Sequence, residues 1–202
     1  MGTRKVIFIL LNVLSLSLLL PPELWSQSML FRVRKEDSHV AFSVYKWGVF
    51  KEEGRFKDFG GTVEFDPQNP VTTKVDFAIN ASSIDSRNPD RDGALRSQEF
   101  FHVTRYPNLR FTGTAVREID KSTILVEGNL TIRGVTKRVE FPVKVSGVHK
   151  AGGQLGTLVG FESTFAINRE DFKVAERWDI IGKEVTIHLI IGAGSASATA
   201  IR

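Results

Sequence analysis

Alternation of apolar and polar side chains is the feature that most constrains the fold of this 202-residue chain. A period of two gives a β-strand one buried face and one solvated face, as in antiparallel sheets. Eight segments show this period, near residues 31–46, 51–66, 73–83, 108–119, 122–133, 136–149, 157–169 and 183–192. The chain is therefore predicted to be all-β.

Short turn signals separate these segments, for example at residues 66–70, at Arg133-Gly134 and at Gly152-Gly153. Many strands joined by short turns predict either a β-sandwich or a closed barrel. Neither a repeat nor a linker interrupts residues 29–192, which we expect to form one domain. Residues 193–202 are small and polar, and they are predicted to be a flexible tail.

One insert breaks the alternation between the third and fourth segments. Asn88 is a suitable helix cap and Pro89 suits a first turn, so the sequence predicts a short helix at 89–97 and a further turn through 98–103. The insert is dense in charge, which has two interpretations. Either Asp92 and Arg96 pair along the helix, or the cluster forms a polar lip at the mouth of a barrel. In the second case a ligand headgroup would meet Arg91, Asp92 and Arg96.

The N-terminal segment has the order of a secretory signal peptide. Arg4 and Lys5 precede an apolar run at 6–20, two prolines, and small residues at Ser26 and Ser28. Residues 1–28 are therefore predicted to be a signal peptide, with an uncleaved amphipathic anchor as the alternative. The sequence contains no cysteine, which excludes disulfides, a thiolate site and a lipoprotein anchor.

Phenylalanine is unusually frequent, with 15 residues against 3 tryptophans and 2 tyrosines. Two interpretations stay open for those on the apolar faces. They fill a packed core, or they line a tunnel, because small residues such as Gly113, Gly128 and Ser163 share those faces and eight strands can enclose one small ligand. The seven candidates for the lining are Phe42, Phe65, Phe77, Phe111, Phe141, Phe161 and Phe165.

Catalytic, metal and nucleic-acid signatures are missing from the sequence. No two of the four histidines are spaced two or four apart, so no metal site is predicted. Neither a nucleophile elbow nor a glycine-rich phosphate loop occurs. Acidic and basic residues alternate along the chain, which argues against a nucleic-acid surface. We therefore expect neither an enzyme nor a cofactor.

Several motifs in order resemble the YceI-like proteins, over roughly residues 30–192. The opening His39-Val-Ala-Phe-Ser-Val with Gly54-Arg-Phe is similar to the start of that family. Further matching segments are Ser83-Ile-Asp through Tyr106-Pro107, Gly128-Asn-Leu-Thr-Ile-Arg-Gly-Val-Thr-Lys, Ile167-Asn-Arg-Glu-Asp-Phe and Gly182-Lys-Glu-Val.

This resemblance implies a lipocalin-like, eight-stranded antiparallel barrel with a helical insert near 89–103. It also implies an exported carrier in the bacterial periplasm or outside the cell. The implied ligand is a polyisoprenoid such as a polyprenyl phosphate or an isoprenoid quinone. Transient membrane contact and a dimer are left open. The alternatives are a packed-barrel interaction protein and an enzyme acting on an isoprenoid.

Two positions depart from the family pattern. Ala94 stands where members often have a histidine, so no role of that histidine is carried over. Lys173 follows Asp171-Phe172 where members often have glycine, so the local turn is expected to differ.

Overall fold

The computed structural model describes residues 28–150 and 156–195. The predicted signal peptide, apart from Ser28, and the predicted turn at 152–153 lie outside these residues. Within them the chain forms ten strands and one α-helix. The strands are β1 (Met29–Lys46), β2 (Phe50–Phe56), β3 (Phe59–Phe65), β4 (Lys74–Asn80), β5 (Ile84–Asp85), β6 (Asn108–Asp120), β7 (Thr123–Ile132), β8 (Val135–Lys150), β9 (Thr157–Asn168) and β10 (Ile181–Ser195), and the helix is α1 (Pro89–Arg96).

The strands close into an antiparallel barrel. The order β10-β9-β8-β7-β6-β4-β3-β1 is closed by pairing of β1 with β10. The predicted second strand, 51–66, is present but bends at Lys57-Asp58. Its two halves, β2 and β3, pair with the second and first halves of β1. Counting β2 and β3 as one bent strand, the wall has eight strands, so the predicted eight-stranded antiparallel barrel is confirmed.

The helical insert covers one end of this barrel. The short strand β5 pairs with β2 and leads into α1, where the Asn88 side chain accepts a hydrogen bond from the Arg91 N–H (3.1 Å). Pro89 occupies the first turn, as predicted. After α1 the chain continues in turns, in which the Phe101 N–H donates to the Leu95 carbonyl (3.0 Å).

The opposite end of the barrel is filled by aromatic side chains. Phe31 and Phe65 pack edge to face with ring centroids 6.4 Å apart, and Phe65 contacts Phe161 in the same way at 5.6 Å. Phe65 is only 2% exposed. This plug closes the end of the barrel that lies opposite the helical insert.

The last strand is longer than predicted. β10 continues through Ser195, and Ala193 is buried between Val33 and Val159. The flexible tail predicted from residue 193 is therefore wrong over 193–195. The glycine and alanine residues suggested a loop. Position 192 instead requires glycine, because a Cβ there would lie within 3.0 Å of Asp37. Close packing on β1, rather than chain flexibility, therefore explains the glycine at position 192.

Lys173 adopts the conformation that glycine favours. Its φ is 58°, in the left-handed region, so this turn forms without glycine. A difference from the turn of the proteins that the chain resembles stays a prediction. The turn is held by Arg133, which donates to the Lys173 carbonyl (2.8 Å).

Because a side chain in this region costs about 1–2 kcal/mol, we expect Lys173→Gly to raise the free energy of unfolding by about 1 kcal/mol, after the higher entropy of the unfolded glycine is subtracted. Lys173→Ala is the matched control and should leave it nearly unchanged. Urea unfolding of the three proteins measures this, and equal stability of the Gly and Ala variants would contradict it.

Candidate ligand-binding cavity

The barrel contains two apolar cavities that adjoin inside it. The outer cavity, of about 460 Å³, lies at the helical end, and the inner cavity, of about 160 Å³, lies deeper. Their shared walls mark the place where they meet. The side chains that border both are Phe42, Phe56, Leu109, Ile132, Ile167 and Ile187.

Six of the seven phenylalanines that the sequence singled out border the inner cavity. Phe141 and Phe165 stack with centroids 4.1 Å apart, and Phe111 lies 5.2 Å from Phe141, so they form one continuous wall. Phe65 is the exception, because it belongs to the aromatic plug and not to the cavity lining. The six are Phe42, Phe77, Phe111, Phe141, Phe161 and Phe165.

Three of these rings lie over glycines of a neighbouring strand. A Cβ added to Gly54 would come within 3.0 Å of the Phe42 ring, and the same holds for Gly61 with Phe77 and Gly128 with Phe111. Rings that cover glycines in this way lie along the wall and leave the centre of the barrel open. Gly54 and Gly61 lie inside predicted strands, where a glycine often marks the close approach of another group. They are the sequence signal for these covering rings that sequence reasoning missed.

Of the other two small residues considered, Ser163 lines the inner cavity. Its hydroxyl donates to the Pro142 carbonyl (2.6 Å). Gly113 instead faces Val75.

The predicted polar lip is only partly at the mouth. Arg91 borders the outer cavity, where it donates to the Ser86 carbonyl (2.8 Å) and hydroxyl (2.9 Å) and forms an ion pair with Glu52. Arg96 points away from the cavity and donates to the carbonyls of Ser82 (2.9 Å) and Ile84 (2.7 Å). Arg96 therefore joins the helix to the preceding chain and does not face the cavity.

Asp92 also supports the insert from within. Its carboxylate is buried and accepts hydrogen bonds from the Ser86 N–H (2.7 Å) and hydroxyl (2.6 Å). Burial alone would raise the pKa of Asp92, but the bonds from Ser86 and the charge of Arg96 hold that pKa below its ordinary value. The predicted Asp92–Arg96 ion pair does not form, because each group has nearer partners.

A buried arginine that sequence reasoning missed builds one wall of the outer cavity. Arg169 is 5% exposed and donates to five backbone carbonyls of the segment that follows it. These belong to Val174 (2.9 Å), Ala175, Trp178 (3.1 Å), Ile181 (2.8 Å) and Gly182 (3.0 Å). The segment 174–182 thereby keeps its irregular backbone beside the mouth. Arg169 lies in a segment that resembles the family, but nothing local in the sequence indicates that its side chain turns inward.

Charge at the mouth is balanced. Three cationic side chains border the outer cavity, Lys46, Arg91 and Arg169, and so do three anionic ones, Glu52, Glu53 and Asp90. Within the described part of the chain, no group of three or more His, Cys, Asp or Glu residues is placed to hold a metal ion. No helix there is long and apolar enough to cross a membrane.

Known proteins share this architecture. The profile of the YceI-like domain family matches residues 31–193. Protein YceI of Shigella flexneri is 37% identical over 148 residues, which cover 71% of this chain and 75% of that protein. The crystal structure of Burkholderia cenocepacia BcnA superposes with a TM-score of 0.71 at 26% identity, covering 79% of this chain and 98% of BcnA.

A polyisoprenoid binding domain from Saccharophagus degradans shares the fold, with a TM-score of 0.63 at 14% identity over 83% of this chain and 99% of that domain. The family profile spans nearly the whole described barrel, and the curated relative shares more than a third of its aligned residues. The chain therefore belongs to the YceI family.

Proposed function

We propose that this protein is an exported carrier that binds one long apolar lipid of the isoprenoid class. The tail would occupy both cavities and the headgroup would lie at the mouth near Arg91. The observation that carries the proposal is the pair of adjoining apolar cavities, which a packed-barrel interaction protein would not need. The predicted signal peptide supports a place in the periplasm.

The size of the cavities favours a tail-dominated binder. An empty inner cavity of 160 Å³ costs roughly 4 kcal/mol, at about 24 cal/mol per Å³. A tail that fills it recovers this energy, and each five-carbon isoprene unit offers roughly 3–4 kcal/mol of gross burial. A headgroup hydrogen bond adds only about 1–3 kcal/mol. The tail therefore holds the ligand and the head orients it.

The mouth favours an uncharged headgroup over a phosphate. Arg91 is already paired with Glu52 and bonded to Ser86, and the acids that border the outer cavity equal the bases in number. A phosphate would have to displace Glu52 or be repelled by it. A quinone or alcohol oxygen could accept a hydrogen bond from Arg91 without breaking that pair.

A carrier is also favoured over an enzyme by the lining of the inner cavity. Among the described residues, its polar side chains are Thr73, Ser163 and the solvent-exposed Glu162. No general acid and base face one another there, as acid–base chemistry on a bound tail would require.

Gly54→Ala tests whether one ligand spans both cavities. The new methyl group must displace the Phe42 ring, which stands where the cavities meet. We expect binding of the long isoprenoid solanesol to fall at least about tenfold, which corresponds to about 1.4 kcal/mol or part of one isoprene unit. The short isoprenoid farnesol, which needs only the outer cavity, should bind nearly as it does to the wild type.

Gly60→Ala is the matched control, because a Cβ there meets nothing within 4 Å. If Gly54→Ala does not fold, Ile187→Phe fills the same junction from β10. Delipidated proteins would be titrated with both alcohols, and thermal unfolding would verify the fold. Equal solanesol affinity in the wild type and in folded junction variants would show that the tail does not pass from one cavity to the other.

A further inference from the structure

Exposed apolar side chains surround the open end of the barrel. Trp47, Val49 and Phe50, in the β1–β2 turn and at the start of β2, are 60%, 70% and 59% exposed. The Trp47 N–H donates to the Ile180 carbonyl (2.7 Å), which ties this turn to the segment after Arg169. We call the whole surface the mouth patch and define it as Tyr45, Trp47, Val49, Phe50, Trp178 and Ile180.

Exposed apolar side chains are concentrated in the mouth patch. Ten large apolar side chains are exposed in the described residues, and six of them belong to the mouth patch. Single exposed apolar residues are common, but a cluster marks an interaction surface. Trp178 and Ile180 also border the outer cavity, so the patch is continuous with the proposed lipid site.

The chemistry of the mouth patch fits the surface of a bilayer. Tryptophan and tyrosine have an apolar ring and a polar atom, and they concentrate at the level of lipid headgroups. The Lys46 ammonium lies 4.4 Å from the centre of the Trp47 ring. Neither Lys46 nor Arg177, which flank the patch, forms an ion pair with another described residue, so both remain available to lipid phosphates.

We propose that the mouth patch docks the protein on a lipid bilayer, so that the ligand passes between membrane and cavity without entering water. This inference rests on the proposed function, because a lipid tail that leaves the bilayer through water loses free energy of burial for every methylene group exposed. Nearby acids such as Glu53 and Asp179 limit the attraction to anionic lipid. Insertion of apolar side chains is therefore the main source of binding, and added salt should weaken it only slightly.

Tryptophan fluorescence reports directly on the mouth patch. The chain has 3 tryptophans, and Trp47 and Trp178 both lie in the patch. The third, Trp25, falls in the predicted signal peptide. If the purified protein still contains residue 25, the measurement uses the Trp25→Phe variant. Vesicles of phosphatidylethanolamine and phosphatidylglycerol with brominated acyl chains should quench the wild-type emission and shift it to the blue.

The double variant Val49→Ser, Phe50→Ser keeps both reporter tryptophans and should bind these vesicles at least tenfold more weakly. Ile119→Ser is the control, because Ile119, which is 54% exposed, is also a large exposed apolar residue but lies near the β6–β7 turn at the closed end. It should bind vesicles as the wild type does. Vesicle affinity of the double variant equal to that of this control would overturn the proposal.

A loading assay separates this proposal from the proposed function. Solanesol would be offered in brominated vesicles or in octyl glucoside micelles. The double variant should load from micelles as the wild type does and at least tenfold more slowly from vesicles. If the wild type loads from neither source yet binds vesicles, docking stands and the lipid-carrier function fails.

Equal loading of both proteins from vesicles would overturn the docking proposal. So would sedimentation showing a wild-type dimer that the double variant dissociates, because the patch would then be covered by a second copy of the chain.

Discussion

Phe111→Asp is expected to lower lipid affinity by more than about a hundredfold, or about 2.7 kcal/mol. The Phe111 ring covers Gly128, packs against Phe141 and borders the inner cavity. A carboxylate there has no partner in the apolar wall, so it must be protonated or must draw water into the cavity. Either outcome opposes an apolar tail by a few kcal/mol.

The control for this substitution is Phe111→Leu, which keeps the wall apolar and should bind solanesol within a few-fold of the wild type. Circular dichroism and thermal unfolding would show which variants are folded, because a charge at this position also threatens the barrel. Phe77→Asp and Phe165→Asp place the same charge elsewhere on the same wall. Normal solanesol binding by folded forms of all three Asp variants would place the ligand outside the barrel.

Arg169→Ala is expected to destabilise the protein by about 3 kcal/mol or more, because each buried carbonyl left without a donor costs about 1–3 kcal/mol. Five carbonyls lose their donor at once, and partial access of water to the segment 174–182 limits the loss. Each kcal/mol lowers Tm by about 2–4 °C for a domain of 150–250 residues, so a fall of roughly 10 °C is expected.

Arg169→Lys should recover little of this stability. One ammonium has three N–H donors at a single point, and it cannot replace the five N–H donors that the planar guanidinium directs at five carbonyls. Arg177→Ala, an exposed change in the same segment, is the matched control and should leave Tm unchanged. Calorimetry measures the shift, and faster hydrogen exchange at residues 174–182 would localise it. A Tm for Arg169→Ala within about 2 °C of the wild type, less than one kcal/mol by the same relation, would show that the segment holds its shape by other contacts.

Most of the fold could be predicted because the sequence pattern that favours a strand is local. A side chain that alternates with its neighbours can face only one side of a sheet, so the strands followed from the period of two. The helix followed from Asn88 and Pro89, which act on the first turn alone. The bend at Lys57-Asp58 could not be read in this way, because it depends on two halves of one strand pairing with different parts of β1.

The candidate site was predicted less completely, since similar side chains have different roles at different depths. Phe65 and Phe161 both lie on apolar strand faces, yet Phe65 fills the plug while Phe161 also borders the inner cavity. Arg91 and Arg96 are both in the helical insert, yet only Arg91 reaches the cavity.

By itself the sequence determined the all-β class, the eight strands, the place of the helix and the phenylalanine-rich apolar faces. Only the tertiary structure decided that these faces enclose space and are not filled. The reason is that cavity volume depends on how rings from neighbouring strands lie across glycines such as Gly54, which is a property of register and not of composition. The inward turn of Arg169 was decided in the same way, by carbonyls that come together only when the barrel closes.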